Sequence, residues 1–299
     1  RIAINDAPIS IEEFKTLYED IDARTKDYPL TEFELLTLLA FVYFRETKPD
    51  LILIETGLGG RLDASNILPS NLSVITHIGY DHQDILGNTL KEITQEKAGI
   101  IKANQKIFTL QHQNPLITQI IQKQALKQKT TLYLSMSPPS NPMIPKYQLE
   151  NMALAFEVFK HSPFYTLKNN FIKSQDSFMN YVSCKKPWGR FEIIKNKTQT
   201  LIIDGAHNLT AFQALCDALA TQFPNKNVSF LIGLNHKRNT QDISPLLELA
   251  HYQNLYYCEF DNEQAMSYST FKKDILNTQA YSLGSPLPKD PLLVITGSL

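Results

Sequence analysis

Glu55 is the first residue whose position suggests chemistry. It ends the apolar run 51–55 and leads into Thr56-Gly57-Leu58-Gly59-Gly60-Arg61-Leu62-Asp63-Ala64-Ser65-Asn66, so a carboxylate stands at an expected strand end before three glycines in four positions. In open α/β sheets ligands bind beyond the carboxyl ends of strands, and glycine lets backbone approach a ligand closely. An ordinary glycine turn carrying a solvated acid has the same signature. His77-Ile78-Gly79-Tyr80-Asp81-His82 closes a second apolar run and brings polar ligands to another strand end. Oxygen donors with one imidazole suit Mg²⁺ or Mn²⁺ serving phosphates better than a structural zinc, although an isolated His also reads as a surface or hydrogen-bonded group. Lys97, in Gln95-Glu96-Lys97-Ala98-Gly99, reads alone as a solvated helix charge. Asp204-Gly205-Ala206-His207-Asn208 ends a strand in the second half and reads either as a ligand loop or as an Asx turn capping the next helix.

The elements that must hold these residues alternate between short apolar runs and amphipathic stretches of helical length, the pattern of an α/β protein with mostly parallel sheets. Thr31 with Glu34 forms a capping box predicting a helix to about Thr47, stopped by Pro49. Strands are predicted at 51–55, 72–78 and 106–110, with a helix over 90–102 and another resuming near Gln148. The stretch SMSPPSNPMIPK breaks this pattern and is expected to be an exposed connection. A second series starts near Thr200: a strand and loop, a helix to about Gln222, a strand in VSFLIGL, a helix near 242–251, a strand in LYYCEF and a last one in PLLVITGSL. The opening RIAINDAPIS reads as strand and turn.

Composition narrows the function classes. A chain of 299 residues with 43% apolar and 20% charged residues has room for two folded domains and lies outside the disordered regime. A formal net charge of -1 gives no general pull toward nucleic acid or anionic membranes. The longest apolar run, 35–44, is about half of what a bilayer span needs. Cys184, Cys216 and Cys258 are odd in number and lack any Cys-x-x-Cys pair, which fits a reducing, cytoplasmic setting.

Taken in order, ETGLGGRLDASN, HIGYDH, EKAGI, QLEN, GRFEII, IIDGAHN and VITGS resemble the motif series of the folylpolyglutamate synthase/dihydrofolate synthase family of the Mur ligase superfamily, over essentially the whole chain. The resemblance implies an incomplete P-loop-type ATPase domain followed by a smaller Rossmann-like domain: residues 1–187 as the rest of a central ATP-, Mg²⁺- and pterin-binding domain, 188–197 as linker, and 198–299 as the C-terminal domain, expected to be cut short. It implies ATP-dependent addition of L-glutamate to dihydropteroate or folates through an acyl phosphate, by a cytoplasmic monomer. Glu55, His82 and Lys97 become the catalytic and metal set, with two Mg²⁺ ions and Lys97 as a carbamate. Asn151, Arg190, Asp204 and His207 fall on ATP contacts; Leu62, Asp63 and Ala64 fall on pterin contacts.

The chain departs from the family at four places. Tyr147 stands where the family usually has His, and Leu209 where it usually has Pro. The small β subdomain expected around the proline-rich stretch is shortened. No G-x-x-x-x-G-K-[ST] phosphate loop occurs in the 299 residues, so they are expected not to catalyse ligation alone, and the missing loop is expected to lie upstream. Two rival readings are another Mur-type amino-acid ligase and a non-catalytic truncated paralogue.

Overall fold

The structure is a computed structural model that describes residues 2–138, 140–166, 174–183, 188–238, 240–249 and 252–298. Cys184, the rest of 184–187 at the expected domain end, and 250–251 at the end of a predicted helix lie outside the described residues.

The chain opens with β1 (Ala3–Ile4) and β2 (Ala7–Pro8), a short antiparallel hairpin. Its two loop residues, Asn5 and Asp6, both take positive φ, as a right-twisted two-residue hairpin requires. Helices α1 (Ile11–Thr25) and α2 (Glu32–Thr47) follow. The capping box at Thr31 and Glu34 forms as expected, and Ser10 with Glu13 caps α1 in the same way. Next come β3 (Leu72–Ile75), α3 (Gln83–Leu86), α4 (Leu90–Ala98), β4 (Lys106–Thr109), α5 (Pro115–Lys127), β5 (Thr131–Leu134), α6 (Lys146–Lys160) and α7 (Gln175–Ser183). Strands β3, β4 and β5 form one sheet in that order.

The last series is β6 (Glu192–Lys195), β7 (Thr200–Asp204), α8 (Leu209–Gln222), β8 (Val228–Gly233), α9 (Thr240–Leu249), β9 (Tyr252–Cys258), α10 (Tyr268–Asp274), β10 (Gln279–Tyr281) and β11 (Leu292–Gly297). These strands make a six-stranded sheet in the order β10-β9-β8-β11-β7-β6, parallel except for β6, which pairs antiparallel with β7. Both faces are covered. Phe212, Phe230, Phe271 and Ile202 anchor one core, while Leu231, Cys258 and Leu293 centre a second. Every residue of β8 is buried, which is why it reads in sequence as an uninterrupted run rather than an alternation.

One expected strand is absent. Residues 51–55 form no β-ladder, and Leu51, Ile52 and Leu53 stay exposed. An apolar run becomes a strand only where a neighbouring chain segment accepts its hydrogen bonds, and none does so among the described residues. The chain divides into two compact units: Arg1–Ser73 with Lys91–Ile107 and Pro115–Thr131, and Val74–Leu90 with Phe108–Asn114 and Leu132–Leu299. No described helix is long and apolar enough to cross a membrane.

Asp290, just before β11, is buried and takes hydrogen bonds from Ser229 Oγ at 2.7 Å, Asn254 Nδ2 at 2.6 Å and Tyr256 OH at 3.1 Å. Burial alone would push this carboxyl up, but the bonds from Asn254, Ser229 and Tyr256 outweigh it and leave it below the ordinary Asp range. A depressed carboxyl contributes stability that is present above its unfolded pKa, about 3.9, and lost as pH falls through its folded value. Urea titrations between about pH 5 and pH 3 should therefore show a shallower acid loss of stability in Asp290→Asn than in the wild type; equal slopes would refute this linkage.

Candidate functional site

In the second unit, strand β7 ends at Asp204, whose residue is only 7% exposed. Its Oδ2 accepts from the Phe191 amide at 2.8 Å and the Tyr147 hydroxyl at 3.0 Å, and its Oδ1 from the Ala206 amide at 2.9 Å. Burial pushes the Asp204 carboxyl up, and these three bonds with the nearby Arg190 charge offset only part of that. Burial and the neighbouring Asp204 likewise push the Tyr147 phenol up, so it remains a donor. Arg190 itself is exposed, between Gly189 at φ +64 and Phe191 at φ +52. Its guanidinium lies over Gly205, 3.5 Å from where a Cβ there would stand. Asn151 is exposed on α6, four residues past Tyr147 and so on the same helix face.

A second node in the same unit centres on Asp81. Its carboxylate pairs with Arg238 and accepts from Asn208 Nδ2 at 2.8 Å, while the Nε2 atoms of His82 and His207 each lie 3.8 Å from Oδ2. Burial would raise this carboxyl, but the Arg238 and Asn208 bonds and the Arg238 and His82 charges hold it below its ordinary value. Asn208 also accepts from the Ala211 amide at 2.9 Å, so it caps α8 and serves the node together. His82 is exposed and takes a left-handed conformation, φ +50, at the start of α3. Gly79 explains how the HIGYDH loop reaches α8: a Cβ there would stand 2.3 Å from Thr210 Oγ1.

In the first unit, the GLGGRLDASN loop is organised against the carboxyl end of α4. Arg61 makes a two-pronged bond to Glu96 with its closest contact at 2.9 Å, and its amide donates to the Glu96 carbonyl at 2.8 Å. Asp63 accepts from the amides of Leu58 and Ser65, both at 2.9 Å, and from Ser65 Oγ at 2.5 Å. Its carboxylate thus shapes the loop, leaving Leu62 exposed and Ala64 opening a 3₁₀ turn, Ala64–Ile67. Glu55 is exposed just before this loop, and Lys97 is half-buried in the last turn of α4.

Arg190, Asp204 and His207 thus share the second unit with Asn151 and His82, whereas Glu55, Lys97, Leu62, Asp63 and Ala64 lie in the first. Sequence reasoning missed Arg238 and the bonding roles of Asp81, Gln148 and Phe191; the only signal was a basic loop directly after an apolar strand. Mg²⁺ usually takes one or two protein carboxylates and completes its octahedron with water and phosphate oxygens. Exposed Glu55, in the first unit, and exposed His82, in the second, each carry a donor of a type that such an ion takes. Among the described residues no group of three or more His, Cys, Asp or Glu is gathered as metal ligands.

Comparison with known proteins adds an independent observation. Residues 189–285 match the protein family described as "Mur ligase, glutamate ligase domain". The dihydrofolate synthase/folylpolyglutamate synthase of Bacillus subtilis is 29% identical over 100% of this chain and 78% of its own length. Residues 189–285 thus carry a Mur ligase glutamate ligase domain, and over its whole length the chain is similar to a dihydrofolate synthase/folylpolyglutamate synthase. The fold agrees: Escherichia coli FolC in complex with DHPP and ADP superposes with a TM-score of 0.81 at 21% identity, covering 97% of this chain and 73% of that one. The Yersinia pestis bifunctional enzyme complexed with AMPPNP and Mn ion gives 0.80 at 23%, covering 98% and 74%. The matched domain begins at Gly189, the first residue of the turn that carries Arg190.

Gly79 gives the sharpest test of the described geometry. Gly79→Ala should destabilise the protein by about 1–3 kcal/mol through overpacking against Thr210, and Thr210→Ala should recover most of that loss in the double variant. Additive effects in denaturant titrations would mean that the HIGYDH loop does not rest on α8.

Proposed function

We propose that the chain serves ATP-dependent ligation of L-glutamate to dihydropteroate or a folate, through an acyl phosphate on the acceptor carboxylate. The observation that carries this reading is the match to the B. subtilis enzyme over the full length of the chain. The nucleotide and DHPP bound by the E. coli protein of the same fold, and the Mn ion of the Y. pestis one, are consistent with it.

In this reading Glu55 and His82 hold Mg²⁺, and Lys97, converted to a carbamate anion, serves a second ion. The metal, when bound, neutralises charge on the transferring phosphoryl group. Arg190 meets nucleotide phosphate with a planar, permanently charged fork, and its two left-handed neighbours keep it out of the sheet. Asn151, Asp204 and His207 complete the nucleotide contacts, with Asp204 acting through the turn it holds. Leu62, exposed at the tip of a braced loop, offers an apolar face to a flat pterin, and Asp63 keeps that loop in shape. The chain works as a cytoplasmic monomer, divided into residues 1–187, a linker at 188–197 and residues 198–299.

The test is ADP release that depends on both glutamate and a pterin acceptor, measured on the 299 residues alone and on the same residues joined to a Gly-rich phosphate-loop segment. Turnover with dihydropteroate or tetrahydrofolate is expected from the joined form and not from the 299 residues alone. Loss of even one positioned donor commonly costs about 10² to 10³ in rate, and several are supplied by such a loop. Turnover restricted to a nucleotide-linked muramyl acceptor, or none in either form, would overturn the reading.

A further inference from the structure

Tyr147 interrupts the motif series, yet its hydroxyl is part of the polar cluster around Asp204 in the second unit. It donates to Asp204 Oδ2 at 3.0 Å, the same oxygen that receives the Phe191 amide at 2.8 Å. The adjacent residue, Gln148, donates through Nε2 to the Arg190 carbonyl at 2.6 Å and lies 3.3 Å from the Tyr147 hydroxyl. From the other side, the Gly205 amide donates to the Gly189 carbonyl at 2.8 Å, and the Gly189 amide to Glu192 Oε2 at 3.2 Å. Residues 189 to 191 are therefore gripped at each position.

This grip has work to do. Phe191 is a large side chain at φ +52, a backbone region that L-residues other than glycine seldom occupy, and it is buried in the main core. Such a conformation persists only where the surroundings over-determine it. The residue presented by the turn is Arg190, whose own side chain reaches over Gly205. Holding the backbone on both sides of Arg190 leaves its guanidinium free while fixing where it projects.

We propose that Tyr147 is a positioning residue for the nucleotide: through Asp204, and with Gln148 beside it, it locks the turn 189–191 so that Arg190 is held at the carboxyl end of β7. The inference rests on the reading of Arg190 as a nucleotide contact. It assigns Tyr147 no contact with substrate and no part in proton transfer. The loss of its hydroxyl removes one anchor from Asp204 and loosens the turn without emptying any space in the core.

The single tryptophan of the chain, Trp188, is 92% exposed and directly precedes this turn, so its emission reports on the turn without labelling. Tyr147→Phe is compared with the wild-type 299-residue protein by Trp188 anisotropy without ligand, then by titration with MgATP into the millimolar range and with dihydropteroate. The expected result is a lower anisotropy and roughly tenfold weaker MgATP binding, the worth of one hydrogen bond to a charged group, with dihydropteroate binding unchanged. Gln148→Met, which frees the Arg190 carbonyl and leaves Asp204 intact, should shift both readouts in the same direction, and keeps the test open should Tyr147→Phe fold poorly. Unchanged anisotropy and unchanged MgATP affinity in the variants would overturn the role of Tyr147 alone. Variants that loosen the turn yet bind MgATP as tightly as the wild type, in the 299 residues or in the form joined to the phosphate-loop segment, would overturn the nucleotide reading of Arg190 and the positioning role with it.

Discussion

The Asp204 carboxylate is the constraint on which the second unit's site depends. It is taken out of water at the end of a central strand and given three donors from three different segments: Tyr147 of α6, the Phe191 amide before β6, and the Ala206 amide in the loop to α8. Removing it would orphan a buried amide at Phe191, and a buried unpaired donor costs about 1–3 kcal/mol. The same change would release a left-handed Phe whose conformation itself costs of order 1–3 kcal/mol. The carboxyl titrates above its ordinary value in the fold, so relative to the unfolded chain it favours the folded state only at low pH, and that contribution is lost as pH rises through its folded pKa. At neutral pH it is thus a group retained against its own desolvation. Its return is placement: one carboxylate fixes the turn before β6 and the loop before α8 in a single frame.

Asp290 makes the contrast. It too is buried beside the same sheet, but at the amino end of β11, and its three donors are side chains that hold it below the ordinary Asp range. That carboxylate stabilises the fold at neutral pH. The two ends of one parallel sheet therefore carry opposite electrostatic economies, with the strain and the raised carboxyl at the carboxyl end, where open α/β sheets bind ligands. The same end holds Asp81, linked to Asn208 and Arg238, so the first turn of α8 and the loop after β8 are tied to the HIGYDH segment by one ionised group.

What the sequence made legible follows from locality. The limits of α2 and α8 were readable because capping residues act within one turn, and β8 and β11 because strands covered on both faces become unbroken apolar runs. Residues 51–55 have the same composition but no ladder partner, and composition does not reveal whether one is at hand. The short strand β6 carries a mixed pattern, Glu-Ile-Ile-Lys at the sheet's edge, and gave no periodic signal. The Asp204 loop was read as either a helix cap or a ligand loop, and Asn208 does cap α8 while bonding to Asp81. The Asp81–Arg238 pair joins residues 157 apart, and nothing local to either marks the other.

The glycines of the motif series bear on how far such motifs speak of chemistry at all. A Cβ on Gly99 would stand 2.3 Å from the Cβ of Arg61, and one on Gly60 would stand 3.0 Å from the carbonyl oxygens of Glu96 and Lys97. The GLGGRLDASN loop and the EKAGI helix end thus require each other's glycines for packing, before any ligand is considered. Arg61 then closes the contact with its two-pronged bond to Glu96. Gly79 plays the same part against Thr210 in the other unit. Motifs far apart in sequence therefore occur together in this chain partly because they are opposite faces of one contact. Glu55 and Leu62 in the first unit, and His82 and Arg190 in the second, are left over once this packing is accounted for, and each is exposed.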